Sequence, residues 1–206
     1  MNNKKSLLCL VMLFFIFKAG AQDWEVDITN SINPPNPTSG YWKTTSASAY
    51  YISGAVPVAF LIEGFIKKDP VLKRKSYELF STLFIELVVS EALKVAIDRN
   101  RPGQDHPRII FPYRENIRGR SFPSGHTSLA FATAASLSIQ CKKWYVTLPA
   151  YAWAASVGYS RMYLGVHYPT DVLAGAAIGV GSAYLSHWLN KKIFPREKRS
   201  AHKAGV

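Results

Sequence analysis

The chain has 206 residues, 48% of them hydrophobic, and carries a formal net charge of +12. That length suits one domain with a real core and excludes two comfortable ones, while the charge leaves anionic partners open: nucleic acid, acidic lipid headgroups or a phosphorylated substrate. Of the two cysteines only Cys141 lies beyond the first 21 residues, which excludes a disulfide framework or a cysteine metal site in the chain that follows them.

In chain order, Lys4 and Lys5 precede an apolar run over 7–17, and Ala19-Gly20-Ala21 gives a small-x-small pattern before Gln22. This predicts a secretory signal peptide over 1–21; an uncleaved anchor is the alternative, against which Lys18 breaks the run early. Residues 22–48 turn polar, with Asn33-Pro34-Pro35-Asn36-Pro37 as stiff punctuation, and are expected to form an exposed, loop-like segment. Five apolar stretches follow, at 50–66, 79–97, 128–141, 144–159 and 172–189, with the length and Ala/Leu/Gly content of helices and no sustained alternation. The expected fold is all-α, a bundle of five to six helices over 49–190, followed by a basic tail over 191–206.

Whether that bundle sits in lipid is decided by charge placement. A mean hydropathy near zero, and Glu63, Glu86 and Glu91 inside apolar runs, favour a soluble bundle. On the other side, alternate connections at 67–75, 142–143 and 191–199 are rich in lysine, as a cytoplasmic face is. The intervening connections instead carry arginine: Arg99, Arg101, Arg108, Arg114, Arg118 and Arg120. Guanidinium suits phosphate recognition better than ammonium does. The pattern predicts a membrane-spanning bundle whose arginine-bearing end faces the secretory side; a soluble periplasmic protein is the alternative.

Three short stretches carry chemistry. Lys94 and Arg101-Pro102 end the second apolar helix and offer two cations that can converge on one anion, although dipole compensation and a helix stop explain them as well in isolation. Pro123-Ser124-Gly125-His126 stands directly before an Ala-rich helix, where free amides and a partial positive charge bind phosphate oxygens. Ser124 and the Gly125 amide are the expected ligands there, and His126 can protonate a leaving alkoxide. In Ser160-Arg161-Met162-Tyr163-Leu164-Gly165-Val166-His167-Tyr168-Pro169-Thr170-Asp171, Arg161 can hold a phosphoryl group, His167 can attack it, and Asp171 can fix the imidazole tautomer. Capping and surface charge account for any one of the three stretches taken alone.

In this order, the three resemble the signature of the type 2 phosphatidic acid phosphatase (PAP2) superfamily, Lys-x6-Arg-Pro, Pro-Ser-Gly-His and Ser-Arg-x5-His-x3-Asp, with no departure. The resemblance covers about 79–189 and implies a phosphatase that forms a phosphohistidine at His167. His126 would act as acid and then base, Asp171 would hold the imidazole, and Lys94, Arg101, Ser124, Gly125 and Arg161 would bind phosphate. It implies no cofactor and no metal, and the sequence has no compact ligand cluster of metal-binding spacing. The expected partners are a membrane and a phosphorylated lipid (phosphatidate, phosphatidylglycerol phosphate, a polyprenyl diphosphate or lipid A) or a small phosphoester, and not nucleic acid. The expected location is a bacterial inner membrane with the site toward the periplasm. The same superfamily includes soluble acid phosphatases and vanadate haloperoxidases, which stay as alternatives, as does a non-enzymatic lipid-binding protein.

Overall fold

A computed structural model of the chain describes residues 22–114, 117 and 119–193; the expected signal segment, Arg118 and the tail beyond Ile193 lie outside them. Among the described residues every regular element is a helix: α1 (Gln22–Ile32), α2 (Gly40–Ile66), α3 (Pro70–Ile97), the short α4 (Pro102–Asp105), α5 (Gly125–Cys141), α6 (Trp144–Tyr163) and α7 (Pro169–Ile193).

The five long helices run alternately up and down. At one end the starts of α2 and α5 meet where the Tyr50 and His126 rings touch, and the end of α6 meets the start of α2 where Arg161 Nη1 donates to Ser46 Oγ at 2.5 Å. At the opposite end Arg74 of α3 donates to the Asn190 carbonyl of α7 at 3.1 Å, and Gln140 of α5 donates to the Lys75 carbonyl at 3.2 Å. The lysine-rich connections therefore gather at one end and the chemistry-bearing ones at the other. Helix α5 is central and packs on α2, α3, α6 and α7.

Several helices start earlier than the apolar periodicity predicts. Helix α3 begins at Pro70, because Asp69 Oδ1 accepts from the amides of Val71 (2.7 Å) and Leu72 (3.4 Å), and proline at the first position has no amide to satisfy. Lys73, Arg74 and Lys75, expected in a connection, are thus helical. Helix α2 takes in residues 40–49, and α6 extends through Ser160 and Arg161. The expectation of an exposed loop over 22–48 is corrected most: 22–32 form α1, and Glu25, Thr29 and Asn33 are buried. Their polar side chains face polar partners inside the protein, which composition alone reads as solvent exposure.

The interior is built from small residues. Ala49, Ala130, Ala134, Ala154 and Val157 form the core, and buried Ser and Thr pair across helices: Thr133 with Ser53 at 2.7 Å, Ser136 with Thr82 at 3.0 Å. Each such bond contributes about 0.6 kcal/mol in a bundle surrounded by lipid. Close approach is set by glycine: on α7, a Cβ at Gly175 would meet the Ser124 carbonyl at 2.6 Å, and one at Gly179 the Ser128 carbonyl at 2.2 Å. The large hydrophobics point outward instead, among them Ile62 and Phe65 of α2, Phe84 and Leu87 of α3, and Leu173 and Trp188 of α7. Helices α2 and α7 are each long and apolar enough to cross a membrane.

Candidate active site

At the arginine-bearing end, three connections come together over the start of α5. The first leaves α3 through Asp98, which takes the left-handed conformation at φ 49°. Lys94 in its last turn pairs with Glu91 at 2.6 Å and lies against Gly125, where a Cβ would approach Lys94 Nζ to 3.1 Å. Glycine at that position leaves room for the ammonium group beside the opening turn of α5. The Gly125 amide belongs to that first turn, whose amides have no intrahelical acceptor.

His126 packs edge-on against Tyr50, ring centroids 4.5 Å apart, and lies within electrostatic reach of Arg161, His167, Arg101 and Lys94. Ser124, by contrast, is fully buried; its hydroxyl is 2.9 Å from Thr127 Oγ1, and its amide donates to the Asp171 carbonyl at 3.0 Å. Both its hydroxyl and its amide are engaged, and it ties the start of α5 to the start of α7.

His167 sits between α6 and α7, 2% exposed. Its Nδ1 lies 3.5 Å from Asp171 Oδ2, an electrostatic contact just beyond normal hydrogen-bond length. Its Nε2 lies 3.5 Å from Arg101 Nη1, which donates to the Val166 carbonyl at 3.1 Å. Burial, with the Arg161 and Arg101 charges, outweighs the pull of Asp171 and brings the imidazole down to about 4, so it is neutral near pH 7 with Nε2 on the cationic side. Arg161 is 5% exposed, and Arg101 and Arg161 each keep a buried Nε that makes no hydrogen bond within the protein. A phosphoryl oxygen is the kind of acceptor such donors require.

Asp171 is fixed from several sides. Its Oδ2 accepts from the Tyr168 amide at 2.9 Å and from the Ser121 hydroxyl, and its Oδ1 accepts from Arg99 Nη1 at 2.9 Å. Arg99 reaches on to Glu25 of α1, Nη2 to Oε2, at 2.5 Å. A second tie from the N-terminal segment is Asn33, which donates to the carbonyls of Phe111 (2.9 Å) and Tyr163 (2.8 Å) and accepts from the Phe111 amide (2.7 Å). Gly165 is required where these strands of chain cross: its φ is +67°, and a Cβ there would meet the Phe111 carbonyl at 2.5 Å.

All eight residues named from the sequence thus lie at one end of the bundle. Sequence reading did not find Tyr50, Ser46, Glu25 or Asn33, which come from elements before the first motif. Asn33 beside three prolines was the only signal, and it pointed to a loop. Two clefts open beside the site. One of about 230 Å³ is bordered by Arg101, Gly103, Pro112 and Val166, and one of about 400 Å³ by Lys94, Arg99, Asn100 and Arg120. Among the described residues no group of three or more His, Cys, Asp or Glu side chains is arranged to hold a metal ion.

A family model described as the PAP2 superfamily matches residues 76–195. The chain is 32% identical over 117 residues to a lipid A 4'-phosphatase of Bacteroides thetaiotaomicron, covering 55% of this chain and 52% of that protein. The chain spans about half the length of the curated relatives it matches. Among solved structures it resembles Aquifex aeolicus LpxE, with a TM-score of 0.61 and 29% identity over 79% of this chain and 92% of that one. It also shares its fold with the transmembrane PAP2 type phosphatidylglycerolphosphate phosphatase of Bacillus subtilis, with a TM-score of 0.68 and 21% identity over 93% of this chain and 96% of that one.

Proposed function

The chain belongs to the PAP2 superfamily, and on that footing we propose that it is a metal-independent phosphatase acting on the phosphate or diphosphate of a lipid through a phosphohistidine intermediate. The observation that carries this reading is the meeting of His167, His126, Arg101, Arg161 and Lys94 at one end of the bundle, with Asp171 behind His167.

In the proposed reaction His167 Nε2 attacks phosphorus in line, forming an N–P bond as the P–O bond to the leaving group breaks. His126 gives its proton to the departing oxygen. It then takes a proton from the water that attacks the phosphohistidine, and inorganic phosphate leaves with His167 restored. Asp171 offsets the positive charge on the imidazole while the N–P bond lasts. Arg101, Arg161, Lys94 and the Gly125 amide stabilise the equatorial oxygens as charge develops. Ser124 acts in this scheme through its bond to Thr127 and its tie to α7.

The lipid class is supported by the outward-facing apolar side chains and by the relatives. A lipid A phosphate is the first candidate substrate, because a lipid A 4'-phosphatase is among the proteins this chain resembles. The lysine-rich end is proposed to face the cytoplasm and the site end the periplasm.

The test is phosphate release by the purified chain in micelles from lipid A, phosphatidate, phosphatidylglycerol phosphate and undecaprenyl diphosphate, beside p-nitrophenyl phosphate, with and without EDTA. Turnover of a lipid at least tenfold faster than of the soluble ester, unchanged by EDTA, is expected. Preference for the soluble ester overturns the lipid assignment, and EDTA sensitivity overturns the metal-free mechanism.

A further inference from the structure

We propose that Glu25 of α1 is a positioning residue for the nucleophile, acting through Arg99 and Asp171. The inference rests on the phosphatase reading above. It concerns a residue outside the span that the family model matches, which begins at residue 76.

Glu25 is 1% exposed, and both of its oxygens are used. Oε2 pairs with Arg99 Nη2 at 2.5 Å; Oε1 accepts from the Thr170 amide at 3.3 Å and from the Thr170 hydroxyl. Arg99 sends its other terminal nitrogen to Asp171 Oδ1 at 2.9 Å and to Thr170 Oγ1 at 2.8 Å, and its guanidinium lies 4.0 Å over the Tyr168 ring. One planar fork therefore bridges two carboxylates, a geometry an ammonium group cannot reproduce.

Burying a carboxylate and a guanidinium is costly, and an apolar pair of similar volume holds two helices together as well or better. What the apolar pair cannot supply is charge. Glu25, Arg99 and Asp171 together carry one net negative charge beside His167. With a neutral residue at position 25, the Arg99 fork loses one of the two carboxylates it bridges, its full charge falls on Asp171, and the carboxylate that orients and offsets the imidazole is held less firmly. Glu25 lies behind Asp171, away from the phosphate-binding cations. Its loss is therefore expected in the rate and not in binding.

The experiment uses the full chain in detergent micelles with phosphatidate and p-nitrophenyl phosphate as substrates. Glu25→Gln is expected to lower kcat by roughly tenfold or more with KM within about twofold, as removal of an outer positioning partner does. Arg99→Lys keeps the charge but not the fork and is expected to lower kcat to the same extent. The double variant should lose no more than about twofold beyond either single one, because both act through one link. Glu25→Gln with full kcat, a KM effect in place of a kcat effect, or multiplied losses in the double variant overturns the proposal. If Glu25→Gln elutes aggregated, Arg99→Lys decides alone, and full kcat there is the overturning result. An inactive wild type overturns the phosphatase reading along with this one, whereas an active wild type with unaffected variants overturns the positioning role only.

Discussion

His167 combines two opposed influences. Burial and the flanking guanidinium groups of Arg161 and Arg101 favour the neutral imidazole, and Asp171 favours the charged one. The first set wins, and the group sits near 4. Protonation below that value removes the lone pair needed for attack. The acidic limb of kcat/KM should therefore lie well below the ordinary imidazole value of about 6.5. A bound phosphoryl dianion raises the imidazole, so the acidic limb of kcat should lie at higher pH than that of kcat/KM. A profile of phosphate release from pH 3.5 to 9 measures both limbs, and coincident limbs near 6.5 would contradict the burial seen here. His167→Ala should abolish turnover and leave no trapped phosphoenzyme. Asp171→Asn should keep KM within a few-fold while kcat falls by roughly 10³ to 10⁴, since it disturbs the tautomer without touching the phosphate cations.

At the scale of elements, the site depends on how closely α7 lies on α5. The Ser124 amide bonds to the Asp171 carbonyl, so the register of these two helices sets where the carboxylate stands. Gly179 keeps that register two turns further in. A methyl group there would meet backbone at 2.2 and 2.7 Å, which cannot shift as a side chain would. Gly179→Ala should destabilise the protein by about 1–3 kcal/mol, the range for overpacking, and lower kcat with it. Gly181→Ala, with nothing within 4 Å, should leave both unchanged. Thermal unfolding in micelles, followed beside phosphate release, distinguishes them. The helices themselves were legible in the apolar stretches, but their beginnings were not. Asp69-Pro70 was a cap signal hidden in a lysine-rich run, and the first turns of α2 are too polar for apolar periodicity to detect.

At the scale of the whole molecule, small and hydroxylated residues lie inside and large apolar ones outside, which is the arrangement of a bundle whose surroundings are hydrocarbon. The chain should therefore remain with membranes through an alkaline carbonate wash; release into the supernatant would argue for a soluble bundle. Orientation is separable. In a Cys141→Ser background, Arg108→Cys should react with an impermeant maleimide on intact spheroplasts and Lys68→Cys should not. The reverse pattern would place the site on the cytoplasmic side.

From the sequence came the helical class and three motif stretches whose order resembles the PAP2 signature, although local spacing reads any one of them equally well as capping or surface charge. In the stretch from Ser160 to Asp171, the imidazole and the carboxylate expected to orient it do stand together. The packing of the helices brought His126 to it from α5 and set Tyr50 and Ser46 of α2 around it. It also placed two residues of the polar N-terminal segment inside the protein: Glu25, behind Asp171 through Arg99, and Asn33, against Phe111 and Tyr163. The hydrogen bonds between Glu25 and Arg99, Arg99 and Asp171, Asn33 and Phe111, and Arg161 and Ser46 join residues 72 to 115 positions apart, each through one polar atom matched to another. No periodicity or composition records such a match, since a buried Glu with a partner and an exposed Glu without one are the same letter.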